Sequence, residues 1–205
     1  MRLSPVKGPA CALVAVCAIF AGCVPRAPES PAVVFWNSVR SLCGRAFEGT
    51  AVELSALDSA VSGQRLVLDV WQCYHDELRL VFHVGEDRSR VWRLTRSRDG
   101  GALRLIHDIH GAGGSPASVT GYGGAAAAAG SAGRQEFAAD TETTSRIPSA
   151  AGSVWTLEIA PGERFTYAFH SGDGEIRFRV DFDLSRMTGR PPPPWGLTRQ
   201  SRPAS

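Results

Sequence analysis

The sequence carries almost no excess of either charge and contains a single lysine, Lys7. Its 22 basic and 20 acidic side chains leave a formal charge of +2, whereas electrostatic binding of nucleic acid needs a clustered basic excess. The sequence therefore excludes that class of protein. Hydrophobic residues make up 43% of the 205 residues, which excludes a wholly disordered chain and suffices for the core of one domain.

Recognisable catalytic motifs are also missing. Ser115 lies in the segment Gly-Gly-Ser-Pro, which lacks the strand-turn-helix context of a nucleophile elbow. No glycine-rich phosphate loop precedes a helix. The sequence therefore assigns no catalytic residue and no cofactor. It favours a binding domain or a scaffold without ligand over a metal-dependent or hydrolytic enzyme.

The first 22 residues have the three parts of a secretory signal peptide. Arg2 and Lys7 give a basic start, an apolar run covers residues 10–21, and small residues precede Cys23. The apolar run is too short to span a bilayer comfortably. Removing residues 1–22 takes away two bases and no acid, which leaves 20 basic and 20 acidic side chains. The mature chain is then formally neutral.

Residues 20–23, Phe-Ala-Gly-Cys, resemble the lipobox of bacterial lipoproteins, with Phe20 where leucine is usual. The resemblance implies that Cys23 is acylated, becomes the first residue of the mature protein and anchors it in a membrane. Lipoproteins kept in the inner membrane often have Asp at the next position. Because Val24 stands there, the resemblance implies the outer membrane, facing the periplasm. Proline-rich residues 23–31 then form a tether. Ordinary cleavage near Ala21 is the alternative.

Cysteine usage predicts one disulfide in the folded part of the chain. Cys11 and Cys17 leave with the signal peptide and Cys23 is the lipidation site, so Cys43 and Cys73 remain. Two cysteines in an oxidising compartment favour a disulfide. By loop entropy, closing the intervening segment contributes about 3–4 kcal/mol to the free energy of unfolding. Two buried free thiols are the alternative.

One helix is predicted directly after the tether. Ser30 can cap it, Pro31 suits its first turn, and Gly44 can end it in a left-handed conformation. The apolar residues recur at spacings of three and four, which places them on one side of the helix. They are Phe35, Trp36, Val39, Leu42 and Cys43.

The rest of the domain is predicted to be antiparallel β-structure. Six segments alternate apolar and polar residues with a period of two, separated by short turns rich in Gly, Asp and Pro. These segments are residues 66–70, 78–84, 103–109, 155–159, 165–169 and 175–184. About eight or nine strands fit between residues 46 and 184. We expect a small, lipocalin-like up-and-down barrel with the one N-terminal helix plugging or flanking it, and a β-sandwich is the alternative.

The predicted domain covers residues 32–186. Residues 111–133 interrupt it with eight Gly and eight Ala, a composition that predicts a disordered loop. Residues 187–205 contain four consecutive prolines, which favours an extended or disordered tail.

Several segments resemble a family of exported bacterial proteins known only as uncharacterised. They are WNSV at 36–39, SLCGRAFEG at 41–49, FHVGEDRSR at 82–90 and RQEF at 134–137, with shorter matches at 107–108, 114–116 and 122–124. The likeness covers most of residues 35–184. It departs from the family pattern in the alanines after Gly124 and in fewer histidines after His107. No activity is assigned to this family, so the resemblance implies no catalytic residue.

Two kinds of binding site can be predicted from individual residues. An interior with several aromatic side chains would take a small apolar ligand, and forked guanidinium groups would bind an anion. The candidate ligand-binding residues are Trp71, Trp92, Trp155, Tyr167, Arg88 and Arg90. A metal would need three or four converging ligands. The candidate metal ligands are His83, His107 and His110, although strand alternation turns His107 inward and His110 outward. Binding of another cell-envelope component at one end of the barrel is the alternative to a small ligand, and the sequence indicates no particular protein partner.

Overall fold

The computed structural model describes residues 28–55, 61–99, 101–128 and 130–198. Within these ranges, every helix falls short of the length and apolarity that a bilayer span requires. The predicted signal peptide, Cys23 and most of the tether lie outside the described residues.

The predicted helix is present as α1, Pro31–Arg40. The Ser30 hydroxyl accepts a hydrogen bond from the Val33 amide at 3.3 Å, which caps the helix. A turn follows and finishes at Gly44, whose φ of 80° is accessible to glycine without strain. Phe35 and Trp36 are completely buried on the inner side of the helix.

In the part of the chain that the structure describes, ten antiparallel strands follow α1, and each pairs with a neighbour in the chain. The strand β1 pairs with both β2 and β10, which makes the sheet an up-and-down meander in the order β6-β5-β4-β3-β2-β1-β10-β9-β8-β7. The strands are β1 Ala46–Leu54, β2 Leu66–Cys73, β3 Glu77–Val84, β4 Asp87–Arg96, β5 Leu103–Ile109, β6 Tyr122–Ala125, β7 Arg134–Ala138, β8 Val154–Ala160, β9 Arg164–His170 and β10 Ile176–Thr188.

The two edges of this sheet meet and nearly close it into a barrel. Ala126, just after β6, bridges Phe137 of β7. The Ala127 amide donates to the Glu136 carbonyl at 2.8 Å, and the Asp140 amide donates to the Gly123 carbonyl at 3.0 Å. Closure leaves the sheet without a long free edge. The prediction of a lipocalin-like antiparallel barrel with one N-terminal helix is confirmed, and the sandwich alternative was wrong.

One part of the Gly/Ala-rich segment 111–133 is a strand, which corrects the prediction of a disordered loop. β6 lies in it because its glycines let neighbouring backbone approach closely. A Cβ at Gly123 would lie 1.9 Å from the Leu105 carbonyl oxygen, and a Cβ at Gly124 would lie 1.8 Å from that of Ala138. The small residues are therefore required where the barrel closes.

The helix occupies the end of the barrel at which β1 begins. Arg40 donates to the Tyr74 carbonyl at 3.1 Å in the turn between β2 and β3. The Arg96 guanidinium, at the end of β4, lies 4.8 Å above the Trp36 ring. The predicted disulfide between Cys43 and Cys73 is present and ties the turn after α1 to β2. We call this the helix end of the barrel.

The C-terminal segment 189–198 packs along the outside of β2, β3 and β4, so this part of the predicted tail is not disordered, and residues 199–205 of that tail lie outside the described residues. β10 continues to Thr188. Arg190 then pairs with the buried carboxylate of Asp69 at 2.8 Å, and Leu197 packs on an outer cluster of three side chains. That cluster consists of Trp71, Val81 and Val91. The proline run is extended, as the sequence also allowed, and contacts on both sides of it fix its path.

A cavity at the open end of the barrel

The barrel end opposite α1 contains a cavity of about 420 Å³. Its walls come from strand ends: Ile109 is the last residue of β5, Tyr122 the first of β6, and Phe169 lies one residue before the end of β9. Tyr122, Ile109 and Phe169 are only half-buried, so the cavity is reached from solvent at this end. The volume lies within the range typical of small-molecule sites. We call this the open end.

Aromatic side chains form most of the cavity wall. Trp92 and Tyr167 stack with ring centroids 4.1 Å apart, and Trp155 lies 5.7 Å from Phe169 and 5.8 Å from Tyr122. Such rings present large, rigid apolar surfaces to a ligand. The lining residues are Val61, Phe82, Arg90, Trp92, His107, Ile109, Tyr122, Ile147, Ser149, Ala150, Trp155, Tyr167, Phe169 and Phe178.

His107 lies in the wall as a neutral imidazole with both nitrogens in hydrogen bonds. Nδ1 lies 3.2 Å from the Tyr122 carbonyl oxygen, and a carbonyl only accepts, so Nδ1 carries the proton. Nε2 is then the acceptor, and the Tyr167 hydroxyl donates to it at 3.0 Å. Burial lowers the pKa of His107 to about 4. His107 therefore adds no charge to the cavity at neutral pH.

The charged group of the cavity is Arg90. One of its terminal nitrogens donates to Asp87, which lies three residues earlier in β4. Burial opposes ionisation of Asp87, but hydrogen bonds from Ser89 and the charge of Arg90 outweigh it and lower the pKa of Asp87. This ion pair is part-exposed, so it orients the guanidinium more than it stabilises the fold.

A short helical connection borders the cavity between β7 and β8. It consists of α2, Thr141–Arg146, and a 3₁₀ turn at Pro148–Ala150. Asp140 caps α2 by accepting from the Thr143 amide at 2.8 Å. The buried Thr143 hydroxyl accepts from the Gly123 amide at 2.7 Å and donates to the Gly123 carbonyl at 2.8 Å. These bonds fix the connection against β6, which positions Ile147, Ser149 and Ala150 in the cavity wall.

The structure brings four of the six predicted ligand-binding residues into this cavity: Trp92, Trp155, Tyr167 and Arg90. The other two lie outside the barrel. Trp71 belongs to the outer cluster under Leu197. Arg88 donates to the Pro193 carbonyl at 3.2 Å. Both residues hold the C-terminal segment in place. This role could not be predicted without knowing where residues 189–198 lie.

The three predicted metal ligands do not converge. His107 is enclosed in the barrel wall by its contacts with Tyr122 and Tyr167. His83 is buried on the outer face beside Pro191 and Pro192. His110 lies just beyond the end of β5. Among the described residues, no group of three or more His, Cys, Asp or Glu side chains is placed to hold a metal ion.

The main residues that sequence reasoning missed are Tyr122, Phe169 and Phe178. Phe169 and Phe178 do occur in the alternating segments, so their inward direction could be predicted, but not that they lie beside unfilled space. Tyr122 is in the Gly/Ala-rich segment, where no alternation marks a strand. Its position depends on the closure of the barrel between β6 and β7.

The fold and the cavity define a ten-stranded antiparallel barrel that is plugged by a helix at one end and hollow at the other. No protein-family model matches the chain, and no curated protein or solved structure is significantly similar to it.

Proposed function

We propose that this protein binds a small, mainly apolar ligand inside the open end of the barrel. The observation that carries the proposal is the 420 Å³ cavity with its largely aromatic lining. A scaffold without ligand would gain packing contacts if side chains filled this space. At the helix end, side chains do fill the barrel, with Phe35 and Trp36 completely buried.

The preorganised wall supports this function. His107 and Tyr167 satisfy each other, and the Thr143 hydroxyl satisfies both polar groups of Gly123. A ligand therefore displaces no internal hydrogen bond of these groups on entering. Because ring stacking and backbone bonds already fix the walls, little further ordering is needed on binding.

The experiment is a titration with 1-anilinonaphthalene-8-sulfonate, whose emission rises in apolar sites. Ser149 is exposed and lines the cavity, so Ser149→Trp places a large side chain across the entrance. We expect saturable binding by the wild-type protein and at least a tenfold loss of affinity in S149W.

The matched control is Ser145→Trp, another exposed position, which lies on α2 and is not in the cavity wall. S145W should bind as the wild type does. Absence of saturable binding by wild-type protein, or equal binding by S149W, would contradict the proposal. Circular dichroism of each variant verifies that the barrel is intact.

We further propose that Cys23 anchors this domain in the outer membrane by acylation, as the lipobox resemblance implies. The disulfide is compatible with an oxidising compartment, and multiple acyl chains on one residue suffice for stable anchoring. In a bacterial host, Cys23→Ser should release the protein from the membrane fraction, whereas Cys17→Ser should not. Recovery of unmodified wild-type protein from the soluble fraction would contradict the anchor.

A further inference from the structure

The composition of the cavity wall restricts the chemistry of its ligand. Of the described residues that line it, Arg90 alone carries a formal charge. The remaining lining side chains are apolar, aromatic or neutral polar. The cavity therefore offers one localised positive group at the edge of an extensive apolar surface.

Arg90 has donors to spare. A guanidinium has five N–H groups in a planar fork, and Asp87 accepts from only one of its nitrogens. The Arg90 guanidinium has no other hydrogen-bond partner among the described residues. Arg88, two residues earlier, is instead engaged with the Pro193 carbonyl outside the barrel. Arg90 is thus the arginine of this strand that remains open to a ligand.

Tyr122 supplies a second donor in the same cavity wall. Its ring stacks on His107 with centroids 4.9 Å apart, which holds the phenol in the cavity wall. Its hydroxyl has no hydrogen-bond partner among the described residues. Burial raises the pKa of Tyr122, and the nearby charge of Arg90 acts in the opposite direction. The phenol therefore keeps its proton and lies within the field of the guanidinium.

We propose that the ligand is a small amphipathic carboxylate whose carboxylate binds Arg90 and the Tyr122 hydroxyl and whose planar apolar body lies against Trp155 and Phe169. This inference rests on the proposed function, since it identifies the ligand class of the same cavity. A carboxylate accepts two parallel bonds from a guanidinium and a further bond from a phenol. Aromatic walls favour a flat body through offset or edge-to-face ring contacts.

The same arrangement selects against other ligands. A cation would face Arg90 across a wall with no acidic lining residue among those described. A strongly polar body would lose hydration against the aromatic rings without gaining hydrogen bonds. Asp87 offsets part of the charge on Arg90 and holds its guanidinium in place. Specificity therefore lies in the combination of head group and flat apolar body.

The test compares two probes with the same body, 2-naphthoate and 2-naphthylmethanol, by isothermal titration at pH 7. We expect the wild-type protein to bind the carboxylate at least tenfold more tightly than the alcohol, since hydrogen bonds to charged groups are the stronger kind. Arg90→Gln should reduce this ratio to about one, chiefly by weakening binding of the carboxylate. Tyr122→Phe should weaken carboxylate binding by about three- to tenfold.

Arg88→Gln is the matched control, because it removes an arginine from the same strand without touching the cavity, and its ratio should equal that of the wild type. Equal affinities of the wild type for both probes, or a ratio unchanged by R90Q, would overturn the carboxylate inference and leave the proposed function standing. Failure of both probes and of 1-anilinonaphthalene-8-sulfonate to bind would overturn both. Circular dichroism of R90Q and R88Q verifies that both variants are folded.

Discussion

At the helix end of the barrel, α1 inserts Phe35 and Trp36 among the strand side chains, and both are completely buried. At the open end, the same strands continue with side chains of similar size, but Tyr122 and Phe169 remain half-buried beside a 420 Å³ cavity. Inward-facing aromatic residues occur at both ends. The difference comes from what covers them, a helix at one end and a short connection at the rim of the other.

The two ends of the barrel are expected to contribute differently to stability and to ligand binding. Truncating an enclosed, close-packed side chain lowers the free energy of unfolding most, because a cavity forms where none existed. Truncating a side chain that already borders a cavity lowers the free energy of unfolding less, but it removes surface that a ligand would contact. The helix end should therefore set the free energy of unfolding, and the open end should set binding.

The largest expected effect comes from a matched pair of truncations, one at each end. Phe35→Ala should lower the free energy of unfolding by about 3–5 kcal/mol, since the ring is fully enclosed. Phe169→Ala should lower it by only about 1–2 kcal/mol, because the ring is half-buried and borders open space. Urea denaturation measures both. Equal losses would break the proposed contrast between the ends.

Removing the disulfide should have the next largest effect. The double variant Cys43→Ser/Cys73→Ser releases a loop that contributes about 3–4 kcal/mol by chain entropy. Because the bond lies at the helix end, probe affinity at the open end should stay within about twofold of the wild type under conditions where the variant is folded. A tenfold loss of affinity would show that the two ends are coupled.

Acid should destabilise the barrel through His107. Its pKa is about 4 in the folded protein and 6.5 in an ordinary environment, so the unfolded state binds the proton first as the pH falls. The free energy of unfolding should therefore decrease from pH 7 to pH 4, by about 3 kcal/mol from this group.

His107→Gln isolates this contribution, since an amide can both donate to the Tyr122 carbonyl and accept from Tyr167 without titrating. Its free energy of unfolding should depend less steeply on pH over the same interval, with the difference measured by urea denaturation at each pH. Identical slopes for wild type and H107Q would contradict a neutral, buried His107.

The smallest effect on the free energy of unfolding is expected in the helical connection between β7 and β8, which borders the open end. Asp140→Ala removes the cap of α2 and the 2.5 Å ion pair with Arg104, which should cost about 1 kcal/mol. Glu142→Ala, which removes an exposed pair with Arg146, should cost a few tenths of a kcal/mol. Hydrogen exchange of the α2 amides should accelerate in D140A and change little in E142A. Equal exchange in the two variants would show that Asp140 does not fix the rim.

Much of this fold could be predicted from local patterns. Capping by Ser30, the left-handed conformation of Gly44 and the alternation of Phe178, Val180 and Phe182 are short-range signals that the structure has, although α1 itself ends at Arg40, before Gly44. The disulfide could be predicted from compartment and cysteine count. The cap, the turn and the alternation depend on residues that are close in sequence. The disulfide depends on two cysteines that have only each other as partners in the folded domain.

The features that could not be predicted from the sequence depend on contacts between distant segments. β6 is glycine-rich because Leu105 and Ala138 approach it from two sides, and no local rule predicts that approach. Trp71 and Arg88 were expected to bind ligand, but residues 189–198 cover them from outside. Alternation of apolar and polar residues identifies the strand face that points into the barrel, but it does not predict whether a cavity remains beside that face. Sequence reasoning therefore proposed cavity residues such as Trp92 and Trp155 without predicting the cavity.

We propose that a small ligand enters the open end of the barrel and not the helix end or the outer face. The five tryptophans report on these regions separately in a ¹⁵N-correlated NMR spectrum, where each indole N–H gives its own signal. Trp92 and Trp155 line the cavity, Trp36 lies at the helix end, and Trp71 lies under the C-terminal segment that contains Trp195. On titration with 2-naphthoate, the signals of Trp92 and Trp155 should shift and the other three should not. No shift at either cavity tryptophan, or larger shifts at Trp36 or Trp71, would contradict the account.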